Sequence, residues 1–133
     1  MPWTFKDRLD SRGINVIREW LQAQPLQARL KIDAVLKNLR AEPRLGRPHV
    51  KKIKGHKDVF EIVVFAGGVQ YRPLGSYGPH EGEFTIVMGA IEHNDSIRPP
   101  DAFATAERHI KSLKAGTLRT CNHDYEQPHP SAS

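Results

Sequence analysis

The side chains with the clearest chemical potential lie between residues 51 and 93. Arg72 stands in the middle of an apolar stretch that is typical of a strand, and Glu61 stands on the preceding stretch. An arginine on a shallow sheet surface can bind phosphate through its forked N–H donors, and it can equally form a structural ion pair with a carboxylate. The sequence leaves both interpretations of Arg72 and Glu61 open.

His93 is the candidate proton-transfer group. Acid–base chemistry beside a phosphate-binding arginine would need a side chain that can donate or accept a proton. The ordinary pKa of histidine, about 6.5, suits either proton-transfer role, and Glu61 or Glu92 is placed to orient the ring. The candidate catalytic residues are therefore Arg72, His93 and Glu61. The alternative is a histidine near a loop that carries no chemistry.

Residues 44–57 form a strongly basic stretch. They contain six lysines and arginines, two histidines and no acid. Lys51, Lys52 and Lys54 are the candidates for holding the phosphates of a nucleic acid, because lysines that neutralise phosphates supply much of nucleic-acid affinity. The alternatives are a solvated face and a contact with an acidic protein partner.

Composition limits the class of protein. The chain has 133 residues, a formal net charge of +5 and a hydrophobic fraction of 38%, which predicts one globular domain that meets an anionic partner. It has no apolar run of membrane-spanning length and no signal-peptide pattern at its first residues, and its single cysteine, Cys121, is typical of a reducing compartment. We therefore expect no membrane association and a location in the cytoplasm.

No metal or cofactor is expected from the motifs. Cys121, His123 and His129 lack the paired spacing of a zinc site. The glycines between residues 67 and 82 do not lead directly into a helix, so they do not form a phosphate-binding loop.

These groups need secondary structure to position them. Hydrophobic periodicity and breaker residues predict helices over 14–24, 25–41 and 101–115, strands over 50–54, 59–65, 69–74 and 83–91, and a short first strand within 1–5. This order predicts an α+β fold with two N-terminal helices, an antiparallel sheet of three to four strands and a C-terminal helix. We expect the domain to span 1–115, followed by a disordered tail over 116–133.

The pair Gly67-Gly68 predicts a two-residue hairpin turn. Ala66 then lies opposite Val69, and Glu61 lies opposite Leu74. Because side chains alternate along a strand, Glu61 and Arg72 are expected on one face of the hairpin. The residues expected on the other face, which suits a core, are Phe60, Ile62, Val64, Val69 and Tyr71.

The combined pattern resembles the RelE/ParE superfamily of bacterial toxins. The motifs that carry the resemblance are Lys52-Ile53-Lys54-Gly55, Val59-Phe60-Glu61-Ile62 and Gly68-Val69-Gln70-Tyr71-Arg72. The nearest branch is the phage-derived, HigB-like toxins, and the resemblance covers roughly residues 14–115. It implies a RelE-like fold and a type II toxin held inactive by an antitoxin, often one with a helix-turn-helix domain.

The resemblance also implies an activity. Many RelE and HigB types are metal-independent endoribonucleases that cut messenger RNA on the ribosome, and there Arg72 would stabilise the scissile phosphate while Lys52 and Lys54 would grip RNA. ParE types share the fold but inhibit DNA gyrase and have no nuclease site. Two positions depart from the nuclease pattern: Val63 replaces an arginine, and Glu92-His93 replaces a basic pair. The function expected is a ribosome-associated endoribonuclease toxin, and the alternatives are a non-catalytic gyrase inhibitor and an inactive antitoxin-binding module.

Overall fold

A computed structural model describes residues 2–46 and 48–126 of the chain. In chain order its elements are β1 (Thr4–Arg8), α1 (Val16–Gln22), α2 (Leu26–Arg40), β2 (Val50–Lys52), β3 (Phe60–Ile62), β4 (Val64–Ala66), β5 (Val69–Tyr77), β6 (Glu83–His93), β7 (Ser96–Arg98), α3 (Ala102–Lys114) and β8 (Thr120–Asn122). Within these residues no helix is both long enough and apolar enough to cross a membrane.

The strands form one mixed sheet. The order along it is β2-β3-β5-β6-β1-β8, with β4 also paired to β5 and β7 to β6. The first strand, β1, runs parallel to β6, whereas every other pairing in the sheet is antiparallel. Between β1 and β6 the chain forms α1, α2 and the strands β2 to β5, so the parallel pair is a long-range contact.

The predicted fold, two N-terminal helices followed by an antiparallel sheet of three to four strands, is wrong. The predicted short first strand is present as β1, but the described residues form three helices and an eight-stranded mixed sheet. Two short strands that were not predicted, β7 and β8, and the division of the predicted strand over 59–65 into β3 and β4 account for much of the difference. A strand of three residues is too short to show a hydrophobic period, so it forms because its backbone hydrogen-bonds to a neighbouring strand.

The central hairpin has the predicted register. Ala66 pairs with Val69, and Glu61 pairs with Leu74, around the turn at Gly67 and Gly68. Both turn glycines have positive φ angles of 58° and 76°, a conformation that side chains with a Cβ rarely adopt. The predicted strand over 59–65 is interrupted at Val63, so β3 and β4 pair separately with β5.

Hydrophobic clusters cover both faces of the sheet. On one face, α1 and α2 pack Ile17, Leu21, Ile32 and Leu36 onto the sheet. On the other, α3 packs Ala102, Ala106 and Ile110 onto Leu74, Val87 and Ala90. The face that carries Arg72 is therefore partly covered by α3 and is not an open groove.

One close approach on the helical side depends on a glycine. A Cβ placed on Gly89 would lie 2.0 Å from the indole ring of Trp20. No side chain larger than hydrogen fits there unless α1 moves away from β6.

Part of the segment expected to be a disordered tail is structured. Thr120–Asn122 form β8, which pairs with β1 at the edge of the sheet, and the backbone N–H of His123 donates to the carbonyl of Phe5 over 2.9 Å. This segment becomes a strand because its backbone hydrogen-bonds to that of β1, which is far away in sequence. Its polar composition gives no sign of this long-range pairing. Residues 127–133 of the predicted tail, which include His129, lie outside the described residues, as does Arg47 of the basic stretch.

Candidate functional site

Arg72 lies near the middle of the sheet and is surrounded by acceptors. It pairs with Ala90 across the β5–β6 ladder, and its side chain projects on the α3 side. Its Nη1 donates to Glu61 Oε2 over 2.5 Å, and its Nη2 lies 2.6 Å from Gln70 Oε1 and 3.0 Å from Glu92 Oε1. The guanidinium thus bridges side chains from three strands, β3, β5 and β6.

This cluster is mostly withdrawn from solvent. The side chain of Arg72 is 15% exposed, that of Glu61 is 8% exposed and that of Glu92 is 24% exposed. Two carboxylates therefore face one guanidinium at a partly desolvated site, where their charge opposes the approach of a phosphate. The arrangement is that of an ion-pair network.

One donor of Arg72 is left over. Its Nε is buried and has no hydrogen-bond partner within the described part of the chain. Lys51 adds a second cation to this face, because it lies directly across the β2–β3 ladder from Glu61. Lys51 is half-buried. Of the three candidate lysines, it is the one that lies beside the Arg72 network.

The other two candidate lysines point elsewhere. Lys52 pairs with Phe60 and is therefore on the opposite face from Lys51, and its Nζ donates to the carbonyl of His56 over 3.3 Å. Lys54 is exposed in the turn between β2 and β3. The three lysines that the sequence groups together do not form one track.

His93 is not with Arg72. It is the last residue of β6, and it is exposed beside a recess that Val69, Tyr71 and Ile91 also line. Because Tyr71 and Ile91 pack against the cluster under α1 and α2, this is the face opposite Arg72. The structure therefore brings Glu61 to Arg72 and leaves His93 on the other side of the sheet.

The basic stretch is anchored by an acid that lies far along the chain. His56 Nδ1 is 2.8 Å from Glu107 Oε1 on α3, and the ring of His56 lies 5.9 Å from that of Phe103. Residues 44–57 contain no acid, so the local sequence gives no sign that His56 pairs with Glu107.

A buried charged cluster was missed by sequence reasoning. His123 Nδ1 lies 2.8 Å from Asp7 Oδ1, and its Nε2 lies 2.9 Å from Asp33 Oδ1. All three side chains are at most 3% exposed. The second oxygen of Asp7 accepts from Asn15 Nδ2 over 3.0 Å, and that of Asp33 accepts from the N–H of Glu126. We call Asp7, Asp33 and His123 the carboxylate–histidine clasp.

The clasp holds a charged histidine. A neutral imidazole donates only one hydrogen bond, and here both ring nitrogens face carboxylate oxygens. Burial alone lowers the pKa of His123, but the hydrogen bonds and charges of Asp33 and Asp7 outweigh it and raise this pKa to about 9. One sequence signal did exist, because Asp7 falls on the buried side of β1 together with Phe5.

The segment after β8 has further charged contacts on the helices. Asp124 pairs with Arg18 of α1, and Glu126 Oε1 lies 2.8 Å from Arg29 Nε of α2. The ring of Tyr125 lies edge-on to that of His123, with ring centres 4.7 Å apart. Charges thus fasten residues 123–126 across α1 and α2.

Comparison with known protein families identifies a match. The family model described as phage-derived protein Gp49-like (DUF891) matches residues 19–111, a span that runs from α1 into α3 and includes Arg72 and His93. That family belongs to the RelE/HigB-type toxin superfamily. No curated protein and no solved structure matches the chain.

Proposed function

This chain belongs to the phage-derived Gp49-like family, and from that premise we propose that it is the toxin of a type II toxin–antitoxin pair that acts by binding its target. The family is toxin-like and related to toxin–antitoxin systems, which also suggests an antitoxin partner. Our proposal adds that the antitoxin carries a helix-turn-helix domain and that the toxin acts in the cytoplasm.

One observation carries the choice of binding over cleavage. The guanidinium of Arg72 is held by Glu61 and Glu92, and His93 lies on the opposite face of the sheet. Metal-free RNA cleavage needs an acid, a base and a cation around one phosphate. The candidate catalytic residues do not converge in this way, which supports a non-catalytic toxin.

The proposed target is DNA gyrase, which the ParE branch inhibits without a nuclease site. Two departures from the nuclease pattern support this assignment. Val63 brings no positive charge to the Arg72 face, and Glu92 adds a negative charge to it.

A ribosome-associated, HigB-like endoribonuclease is the second candidate, and a specific observation favours it. Arg72 Nε has no partner among the described residues, and Lys51 lies across the ladder from Glu61. If the more exposed Glu92 swung away, a phosphate would reach Arg72 between these groups. In this candidate Arg72, Glu61 and His93 are catalytic, and Lys51, Lys52 and Lys54 bind RNA.

Induced expression distinguishes the two candidates. Three forms are compared in cells: the wild-type chain, the double variant Arg72→Gln with Glu61→Gln, and the control Arg108→Gln. The control removes a positive charge from an exposed position on α3. The double variant removes a cation and an anion together, so it leaves fewer unpaired buried charges than Arg72→Gln alone. RNA 5′ ends are mapped across the transcriptome, and a DNA-damage reporter is measured in parallel.

If the chain inhibits gyrase, we expect the wild type and both variants to arrest growth and to induce the DNA-damage reporter. No new RNA 5′ ends are expected in any of the three. New 5′ ends inside coding regions that vanish in the double variant would overturn the proposal and establish the nuclease. If none of the three forms arrests growth, at equal levels of soluble protein in the cells, the chain would instead be an inactive antitoxin-binding module.

A further inference from the structure

A small recess lies where the end of β1 meets the segment that follows α3. Leu9 and Leu118 contribute apolar surface to it, and Arg8, Asp10 and Arg119 contribute charge. Its volume is about 220 Å³, below the range of about 300–1,000 Å³ that is usual for drug-sized ligands. A ligand that fits this recess is therefore a small molecule or an ion. We call it the Arg8 recess.

The Arg8 recess lies apart from the sites described above. None of the residues that line it belongs to the Arg72 network or to the basic stretch over 44–57. All of them also lie outside residues 19–111, the span that the Gp49-like family model matches. That match therefore does not account for the recess.

Backbone hydrogen bonds hold the two sides of the recess in place. The N–H of Leu9 donates to the carbonyl of Arg119 over 2.9 Å, which ties the end of β1 to the segment after α3. On the β1 side, the N–H groups of Arg12 and Ile14 donate to Asp10 Oδ1 over 2.8 Å and 3.0 Å. The backbone therefore forms the recess without the help of a ligand.

Positive charge exceeds negative charge around the recess. Asp10 is the one acid among the described residues that line it, and its Oδ2 lies 3.7 Å from Arg12 Nη2. The same carboxylate also offsets part of the charge of Arg8. Three arginines, Arg8, Arg12 and Arg119, thus surround a single carboxylate, which leaves an excess of two positive charges.

Arg8 holds donors that the protein does not use. Its Nε donates to the carbonyl of Val87 over 2.7 Å, which fixes the half-buried side chain, whereas its Nη1 and Nη2 bond to no residue that the structure describes. Arg119 makes a single long contact, from Nη2 to the carbonyl of Asp10 over 3.5 Å. The hydroxyl of Ser11 has no partner in the described part of the chain either. Several donors are therefore available at one small recess.

His109 on α3 is sensitive to this unbalanced charge. Burial, together with the charges of Arg8 and Arg108, lowers the pKa of His109 to about 4. An anion beside Arg8 would offset part of that charge and raise the pKa of His109. The imidazole is therefore a natural reporter for the recess.

We propose that the Arg8 recess binds a small dianion, either a tetrahedral oxyanion such as sulfate or hydrogenphosphate or a short dicarboxylate. Both kinds of ligand offer paired oxygens and a double negative charge. The two Nη groups of Arg8 match a pair of oxygens, and Arg119 and the hydroxyl of Ser11 bind the rest of the ligand. This binding goes beyond the proposed toxin function and does not depend on it.

Calorimetric titration of the full chain tests the proposal. The probes are sodium sulfate and sodium malonate, with sodium acetate as the singly charged control, and sodium chloride keeps the ionic strength constant. We expect sulfate or malonate to bind at a single site and acetate to bind much more weakly. Arg8→Lys keeps the charge but removes the paired donors, so it is expected to weaken binding of the dianion roughly tenfold.

A second variant keeps the test independent of folding. Arg8→Lys also loses the bond from Nε to Val87, so its thermal midpoint is measured in parallel. Arg119→Gln changes an exposed side chain, and it is expected to weaken binding several-fold without changing the thermal midpoint. Lys31→Gln is the control for net charge, because it removes a positive charge from an exposed position on α2, on the other face of the sheet. It is expected to change the affinity by at most about twofold, since solvent and salt screen a distant charge.

The pKa of His109 gives a second readout. Its imidazole proton resonance, identified by its absence in His109→Gln, is followed by NMR through a pH titration. Sulfate is expected to raise this pKa in the wild type more than sodium chloride of equal ionic strength does. In Arg8→Lys the rise is expected to be much smaller.

Three outcomes would overturn the proposal: no saturable binding of sulfate or malonate, equal losses of affinity in Arg119→Gln and Lys31→Gln, or acetate binding as tight as that of the dianions. Tighter binding of sulfate supports a ligand of the phosphate or sulfate type, and tighter binding of malonate supports a dicarboxylate. The titrations use the purified chain without gyrase or cells. Their failure is therefore distinguishable from failure of the proposed toxin function.

Discussion

Glu92 and His93 are consecutive residues of β6, but their side chains lie on opposite faces of the sheet. Glu92 Oε1 is 3.0 Å from Arg72 Nη2 on the α3 side, and His93 lines a recess with Tyr71 on the side of α1 and α2. A pair that is adjacent in sequence therefore belongs to two separate sites. Strand alternation separates the predicted histidine from the predicted arginine.

The Arg72 network gives the first prediction. Arg72→Gln leaves Glu61 and Glu92 without their cation at a mostly buried site, so we expect the free energy of unfolding to fall by about 3 kcal/mol. The double variant with Glu61→Gln is expected to lose less, because it leaves no buried uncompensated pair of carboxylates. Urea denaturation measures both. Arg98→Gln is the control, and an equally large loss there would show that general charge is responsible.

The carboxylate–histidine clasp predicts a dependence of stability on alkaline pH. The pKa of His123 is raised to about 9 in the folded chain from an ordinary 6.5, so the folded state holds this proton more tightly than the unfolded state does. The stabilisation is fully present below pH 6.5, declines above it and is lost as pH rises through about 9. For His123, whose side chain is 1% exposed, it amounts to about 3 kcal/mol.

Urea denaturation at pH 6, 8 and 10 tests the clasp. The difference in stability between the wild type and His123→Gln is expected to be largest at pH 6 and to shrink by pH 10. Tyr125 packs on His123, but its own pKa is raised to about 12 by burial, so it does not titrate in this window. A difference that stays constant between pH 6 and 10 would contradict a charged His123.

Cys121 reports on the same region. Burial raises the pKa of its thiol, and the charge of nearby Asp7 raises it further, so little thiolate exists at neutral pH. We expect alkylation by iodoacetamide at pH 7.5 to be slower in the native chain than in the chain unfolded in urea. His123→Gln should accelerate the native reaction, because β8 loses its adjoining clasp. Equal native rates in the two forms would show that β8 stays in place without the histidine.

The contact between Gly89 and Trp20 gives the last prediction. Gly89→Ala places a methyl group 2.0 Å from the indole ring, so α1 has to shift, at a cost of about 1–3 kcal/mol in the free energy of unfolding. Gly46→Ala is the matched control, since a Cβ there meets nothing within 4 Å. Thermal unfolding of both variants measures the difference. Equal midpoints would mean that the helix accommodates the methyl group freely.

Local patterns predicted several features correctly. The hairpin at Gly67-Gly68 has the predicted register, and α2 and α3 lie within the predicted helical ranges 25–41 and 101–115, each with one buried apolar face. Glu61 and Arg72 were expected to share a face, and they form an ion pair at 2.5 Å. These features depend on alternation and helical period, which the order of neighbouring residues encodes directly.

Other features depend on long-range pairing and were not predictable in this way. The sequence by itself determined the positions of the long helices, the central hairpin and the resemblance to a toxin superfamily, because short-range periodicity and motif order carry that information. Only the tertiary structure decided that the predicted first strand pairs in parallel with β6, that β8 extends the sheet, that Glu92 lies over Arg72 and that His123 is buried between Asp7 and Asp33. Those contacts join residues as many as 116 positions apart, and backbone pairing and burial select them with no local signal in the chain.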